Sequence, residues 1–191
     1  MSRFNDVHFL ISAAAPAQFP ADVGAEVAFA GRSNAGKSSA INAITQRKGL
    51  ARISKTPGRT RLLNFFELMP MKRLVDLPGY GYAKVRAAER ENWPELTEAL
   101  QHRQSLRGLF VIVDARRGIS EGDEGLFQWA QAPLKVHVLL SKCDKLTRNE
   151  GGTVMRAASE RLYGRASAQL FSAVKGTGVK EAQDVLAGWL S

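Results

Sequence analysis

Eight consecutive residues, Gly31-Arg32-Ser33-Asn34-Ala35-Gly36-Lys37-Ser38, carry the spacing G-x-x-x-x-G-K-[ST], the pattern of a loop that cradles phosphates. Gly31 and Gly36 admit backbone geometry that a side chain would block. Successive N–H groups can then converge on one concavity, and the N-terminus of a following helix adds its positive dipole end. Lys37 would reach the β- and γ-phosphates of a nucleotide, and Ser38 would place its hydroxyl on Mg²⁺. The flanks agree: Glu26 to Ala30 reads as a short buried strand, and Ser39 to Gln46 as a helix with an apolar face. Strand, glycine loop and helix are the context the motif requires.

About forty residues further on stands Asp76-Leu77-Pro78-Gly79, a D-x-x-G stretch at the end of an apolar run. An acidic residue there is costly unless a charge meets it. Asp76 can hold Mg²⁺ through water, and the Gly79 N–H can meet a γ-phosphate, drawing Tyr80, Gly81 and Tyr82 with it. Between the two motifs runs Arg47 to Arg61, basic and without helical or strand period, where a nucleotide-sensing loop would lie. A threonine in it would complete the Mg²⁺ shell. Thr56 and Thr60 are the candidates, and Thr60 is preferred because the following strand can aim it. Ser141-Lys142-Cys143-Asp144 follows the apolar strand Val136 to Leu140. The Asp144 carboxylate can accept from the ring imino and exocyclic amino groups of guanine, whereas adenine would leave it unpaired. The stem of Lys142 can lie over the base. Small residues at Ser172-Ala173-Val174 let backbone N–H groups approach the guanine carbonyl.

These stretches need elements to position them. Leu62 to Leu68 and Met71 to Asp76 read as a hairpin through Met69-Pro70. Leu109 to Asp114 has the near-continuous apolar character of a parallel strand, and Ala168 to Phe171 is the last strand. Helices are expected over Ala83 to Arg107, interrupted at Pro94, and over Asp123 to Ala130, Thr147 to Tyr163 and Val179 to Leu190. His137 and Trp129 read as core residues. Residues 1–24, broken by Pro16 and Pro20, read as an extended arm on the domain edge. The expectation is one domain over 1–191. Its fold class is α/β, a three-layer sheet of six mostly parallel strands, one of them antiparallel, with helices on both faces and ligand residues just beyond the strand ends.

Composition narrows the partners. The chain has 191 residues, 45% hydrophobic and 24% charged, with 27 Lys and Arg against 18 Asp and Glu, a formal charge of +9. That excess favours a polyanion such as RNA. No apolar run approaches the roughly 20 residues needed to cross a bilayer, and the first residues lack a signal-peptide layout. The single Cys143 cannot form an internal disulfide, which suits a reducing cytoplasm. No membrane or DNA partner is expected, and the chain is read as a monomer.

With these stretches in hand, the chain resembles a Ras-like G domain of the TrmE-Era-EngA-EngB-Septin-like class, and more narrowly the EngB family (also called YihA or YsxC), over about Val7 to Leu190. The matching motifs are Gly31 to Ser39, Lys55-Thr-Pro-Gly-Arg-Thr60, Asn64-Phe65-Phe66, Val75 to Lys84 and Phe171-Ser172-Ala173. The resemblance implies a small bacterial GTPase that binds GTP and GDP with Mg²⁺, acts on the maturing large ribosomal subunit and its rRNA, and is associated with cell division and septation. It implies phosphate contacts from Gly31 to Ser38 and metal contacts from Ser38 and Thr60. Gly58, Arg59, Thr60, Arg61 and Leu62, with Asp76, Leu77, Pro78 and Gly79, would make the switch contacts. Ser141, Lys142, Cys143 and Asp144, with Phe171, Ser172, Ala173 and Val174, would surround the base. Lys37, Thr60 and Gly79 would serve the reaction itself. Two departures matter. Ser141 stands where many GTPases have Asn, so a looser tie to the phosphate loop and modest GTP affinity are expected, and a sub-nanomolar constant would refute this. Tyr80 stands where Ras-like enzymes have a water-orienting Gln, so turnover is expected on the order of 10⁻³ s⁻¹ or below, with a ribosomal partner completing the site. Asn34 could help hold K⁺ in place of an arginine finger, which equal rates in K⁺ and Na⁺ would exclude. The alternative is an RNA-binding assembly factor whose nucleotide is structural.

Overall fold

The computed structural model describes residues 4, 6–51, 62–80, 93–130 and 132–191. Seven strands and five α-helices are described: β1 (His8–Ala13), β2 (Ala25–Gly31), α1 (Lys37–Thr45), β3 (Leu63–Met69), β4 (Lys72–Asp76), α2 (Trp93–Gln101), β5 (Leu106–Asp114), α3 (Glu121–Trp129), β6 (Lys135–Ser141), α4 (Arg148–Leu162), β7 (Ser167–Leu170) and α5 (Val179–Trp189). The strands form one sheet in the order β1-β3-β4-β2-β5-β6-β7. β3 runs antiparallel to both β1 and β4, while β4, β2, β5, β6 and β7 pair in parallel. β3 is thus the antiparallel strand of an otherwise parallel sheet, as the expected class requires.

The sheet has one strand more than the six read from the sequence. The extra strand comes from the N-terminal arm, which pairs with β3 from His8↔Glu67 to Ala13↔Leu63. Its first three residues are exposed, so it lacks the alternation that marks a half-buried strand. The long helix read over Ala83 to Arg107 also differs: α2 ends at Gln101, and β5 begins at Leu106, before the expected Leu109. Residues 83–92 of that reading lie outside the described residues.

Two apolar cores hold the layers. One packs α1 and α5 on the sheet through Ile41, Ile44, Leu186, Phe29 and Phe110. The other packs α2, α3 and α4 on the opposite face through Leu96, Leu100, Leu162, Val111 and Val138. His137 belongs to the core, with Ser167 Oγ 2.6 Å from Nδ1 and Gln169 Oε1 2.9 Å from Nε2. Burial pushes its pKa down. The segment after β1 is fixed at the far end of the sheet. Glu26, fully buried, accepts from Arg73 and Arg103, and those guanidiniums also reach the Ala21, Val23 and Pro20 carbonyls. Two cations on one carboxylate compensate its desolvation. Among the described residues, no helix is long and apolar enough to cross a membrane.

Candidate functional site

β2 is buried at all seven positions and delivers the glycine loop at the C-terminal edge of the sheet. α1 begins at Lys37, with Gly36 at its N-cap and a φ of 101°, a left-handed geometry that costs glycine little. Asn34 is also left-handed, with φ 65°. Alternating handedness of this kind turns successive N–H groups toward one side, the arrangement that receives anions. Ser38 lies in the first turn of α1.

The D-x-x-G segment lies directly against this loop. Asp76 ends β4, in register with Phe29 on β2 and Asn64 on β3, and its carboxylate accepts from the Lys37 ammonium. Leu77 is buried, with its N–H donating to the Phe29 carbonyl at 2.9 Å, so its side chain serves the core. Pro78 is half-buried. At Gly79 a Cβ would stand 3.0 Å from the Ser33 Cα, so a larger residue would have to push the phosphate loop back by a few tenths of an ångström. Tyr80 bridges Arg32 in parallel, and its carbonyl accepts from the Ser33 N–H at 2.8 Å. Tyr80 is therefore strapped to the phosphate loop by backbone hydrogen bonds, with Gly79 packed against Ser33.

The Tyr80 phenol donates to Asp123 on α3. Asp123 is 3% exposed, and its other oxygen accepts from the Ser120 N–H at 2.7 Å and Oγ at 2.6 Å, closing the helix cap. Burial, with the Asp123 hydrogen bond behind it, pushes the phenol well above its ordinary pKa. Tyr80 is thus an anchor between α3 and the D-x-x-G segment. Tyr80→Phe is expected to cost about 1–2 kcal/mol of stability in a urea melt and to leave single-turnover GTP hydrolysis within about threefold of the parent. A rate loss above about tenfold at unchanged stability would place the phenol in the reaction instead.

The residues expected to surround the base gather at the ends of β6 and β7. Ser141 Oγ donates to the Ala35 carbonyl of the phosphate loop, with the Val113 carbonyl 3.1 Å away. Lys142 Nζ donates to the Asn34 carbonyl at 2.6 Å and to Asp114 at 3.0 Å. One hydroxyl reaches the loop directly, and the neighbouring ammonium adds a second link. Asp144 accepts from Ser172 Oγ at 2.6 Å, which holds its carboxyl below the ordinary value. Burial raises the pKa of the Cys143 thiol, and the Cys143 N–H donates to the Phe171 carbonyl at 3.2 Å. The Phe171 ring is buried, leaving only its backbone at the site. The Ser172 N–H donates to the Thr177 carbonyl at 2.9 Å, so Ala173 and Val174 supply the N–H groups that could meet a base carbonyl. Leu62 is half-buried just before β3. Thr56, Gly58, Arg59, Thr60 and Arg61 lie outside the described residues.

Four residues here went unread in the sequence: Asp114, Arg116, Ser120 and Asp123. Asp114 ends β5 and takes Arg116 Nε and Nη2 at 3.0 and 2.7 Å, beside Lys142. Arg116, then Lys142, holds its carboxyl far below the usual range. The signal was available, because Asp114 closes an apolar strand just as Asp76 does. Ser120-x-x-Asp123 is likewise a recognisable helix-start pattern. A cleft of about 200 Å³ runs beside the loop between Arg32, Asn34, Asp114, Arg116 and Lys142.

Among the described residues, no group of three or more His, Cys, Asp or Glu side chains could hold a metal ion. Hard oxygen donors suited to Mg²⁺ are present as the Ser38 hydroxyl and the Asp76 carboxylate at the loop. That set fits a cation that takes most of its ligands from phosphate and water.

A family model described as "50S ribosome-binding GTPase" matches residues 26–142. A protein of Coxiella burnetii named "Probable GTP-binding protein EngB" is 49% identical over 98% of this chain and 94% of its own length. A protein of the same name in Methylococcus capsulatus is 51% identical over 90% and 84%. A crystal structure of a probable GTP-binding protein engB superposes with a TM-score of 0.69 at 22% identity, covering 87% of this chain and 98% of that one. Era in complex with MgGDPNP and a segment of 16S ribosomal RNA superposes at 0.66 with 22% identity, over 87% and 57%. At that identity the structural likenesses concern the fold.

Proposed function

The chain belongs to the EngB family of GTP-binding proteins, and from that premise we propose that it is a slow Mg²⁺-dependent GTPase switch that serves assembly of the large ribosomal subunit. The observation that carries the proposal is the strap between the phosphate loop and the D-x-x-G segment. Lys37 sits on Asp76, and Gly79 and Tyr80 lie against Ser33 and Arg32. A γ-phosphate competing for the Lys37 ammonium and the Gly79 N–H would act on that segment directly. In this reading Gly31 to Ser38 bind the phosphates, Ser38 and Thr60 hold Mg²⁺, and Asp76 does so through water. When bound, Mg²⁺ would supply charge neutralisation to the phosphates. Ser141 and Lys142 fix the base loop to the phosphate loop, and Asp144, held by Ser172, reads guanine.

Slow turnover follows from Tyr80, whose phenol is committed to Asp123 at the position where an amide would orient water. The family resemblance extends the proposal to a cytoplasmic protein, a single G domain over 1–191, needed for normal cell division and septation. A second reading, in which the nucleotide is structural and the protein is an RNA-binding assembly factor, draws on the same commitment of Tyr80 and on the +9 charge. Affinity for large ribosomal subunits, measured at fixed salt with a GTP analogue, with GDP and with no nucleotide, separates the two. The switch reading expects severalfold tighter binding with the analogue. Equal binding in all three states would overturn it in favour of the second.

A further inference from the structure

We propose that the end of the sheet opposite the phosphate loop carries a groove, built by His8, Arg47 and Lys48, that docks on the sugar-phosphate backbone of ribosomal RNA whatever nucleotide is bound. The proposal rests on the ribosomal reading above and adds where and how the contact is made.

A cleft of about 420 Å³ opens between the start of β1 and the end of α1, lined by His8, Gln46, Arg47 and Lys48 among others and by no acidic residue. Gln46, Arg47, Lys48 and Gly49 are all exposed. Arg47 and Lys48 belong to the cations that no described acid neutralises. Arg73 and Arg103 are held by Glu26, Arg116 by Asp114, and Arg161 and Arg165 by Glu124. Among the described residues, Arg47 and Lys48 have no carboxylate partner. Two acids flank the groove: the Glu67 carboxylate lies 3.7 Å from His8 Nε2, and Asp6, whose carbonyl is 2.9 Å from His8 Nδ1, precedes the lining residue Val7.

The positive field extends along the same end of the sheet. Lys72 begins β4 in register with Ala25, and Lys135 begins β6 in register with Gly108. Neither has an ion-pair partner among the described residues. A cation after a helix C-terminus also complements the macrodipole, which accounts for one charge beyond α1. It does not account for two in succession facing an acid-free cleft. RNA suits this surface better than a membrane does, because exposed cations and the Gln46 amide match phosphate and ribose hydroxyls, while among the described residues no amphipathic helix offers an exposed apolar face beside them.

The placement separates docking from switching. The phosphate loop opens at the start of α1, and α1 then runs nine residues, about 13 Å, before Arg47. Arg47 and Lys48 open the basic segment, but this end of it is tied to α1, since the Arg47 N–H donates to the Asn42 carbonyl and the Asn42 side chain pairs with the Ala51 backbone. Contacts there lie apart from the γ-phosphate and hold the protein on RNA in both nucleotide states.

The test uses the full chain with Arg47→Glu and Lys48→Glu together, binding purified large subunits over a series of salt concentrations, with GTP analogue and with GDP. The expected result is affinity at least about tenfold lower in both states, and a salt dependence shallower by about 1.5–2 in log–log slope, as for two lost phosphate contacts. Nucleotide affinity and melting temperature should match the parent, because both side chains are exposed. An unchanged constant and slope would overturn the proposal, as would a loss confined to one nucleotide state. Binding to protein-free large-subunit rRNA is measured in parallel. If the variant loses subunits but keeps the bare RNA, the groove takes a protein and the RNA assignment fails. If the parent binds bare RNA through these residues but not subunits, the ribosomal reading fails while the groove stands. If the parent binds neither, both fail.

Discussion

Replacing Asp144 with asparagine is expected to lower affinity for GTP and GDP by about 10²–10⁴-fold and to raise it for xanthine nucleotides. On the proposed reading, two charge-assisted hydrogen bonds, worth about 1.5–3 kcal/mol each, would join the Asp144 carboxylate to the imino and amino groups of guanine. Asparagine offers one acceptor and turns an N–H against a donor. The carbonyl of xanthine at the position of guanine's amino group would accept that N–H instead. The carboxylate is prepared for its task by Ser172, which donates to one oxygen, and by Lys145, 3.6 Å from the other. Competition titration with GDP, XDP and ADP reads the exchange. An unchanged GDP constant would mean that the base is held elsewhere.

Lys37→Ala should reduce single-turnover GTP hydrolysis by about 10³-fold, because phosphoryl transfer relies on charge placed at the β- and γ-oxygens. A complication lies in the structure itself. The Lys37 ammonium is hydrogen-bonded to Asp76, with the two side chains 12% and 11% exposed. Alanine leaves that carboxylate unpaired, at a cost of about 2–3 kcal/mol. The double variant Lys37→Ala/Asp76→Asn separates the two effects, since a neutral amide no longer needs the cation. Stability should return toward the parent in a denaturant melt while hydrolysis stays low. If the double variant regained activity, the lysine would be acting through the fold and not on the phosphates.

What could be read from the chain alone depended on where backbone geometry dictates residue type. Gly36 at φ 101° and Gly79 pressed on Ser33 are positions where few alternatives fit, so the loop motifs declared themselves. The apolar runs of β5 and β6 are buried on both faces and read as parallel strands for that reason. β1 was obscured because an edge strand meets solvent: Phe9 remains 51% exposed and no alternation survives. Pairings across the chain were equally hidden. That Asp123 would receive Tyr80, 43 residues away, or that Asp114 would hold Lys142, 28 residues away, depends on strand order rather than spacing. The Ser141 expectation counted the hydrogen bonds a hydroxyl can make; the Lys142 ammonium, which links the same two loops, could not be read from spacing.

The β3–β4 hairpin has a mechanical consequence. Its outer ends, Asn64 and Asp76, are directly paired, so the chain enters from the basic segment and leaves toward D-x-x-G one strand spacing apart. Two loops clamped to the same rung cannot relax independently. Displacement of one tilts the rung and is felt by the other across a single cross-strand pair. The molecule would then report its nucleotide as one concerted event, and probes attached to the two loops should share one relaxation time.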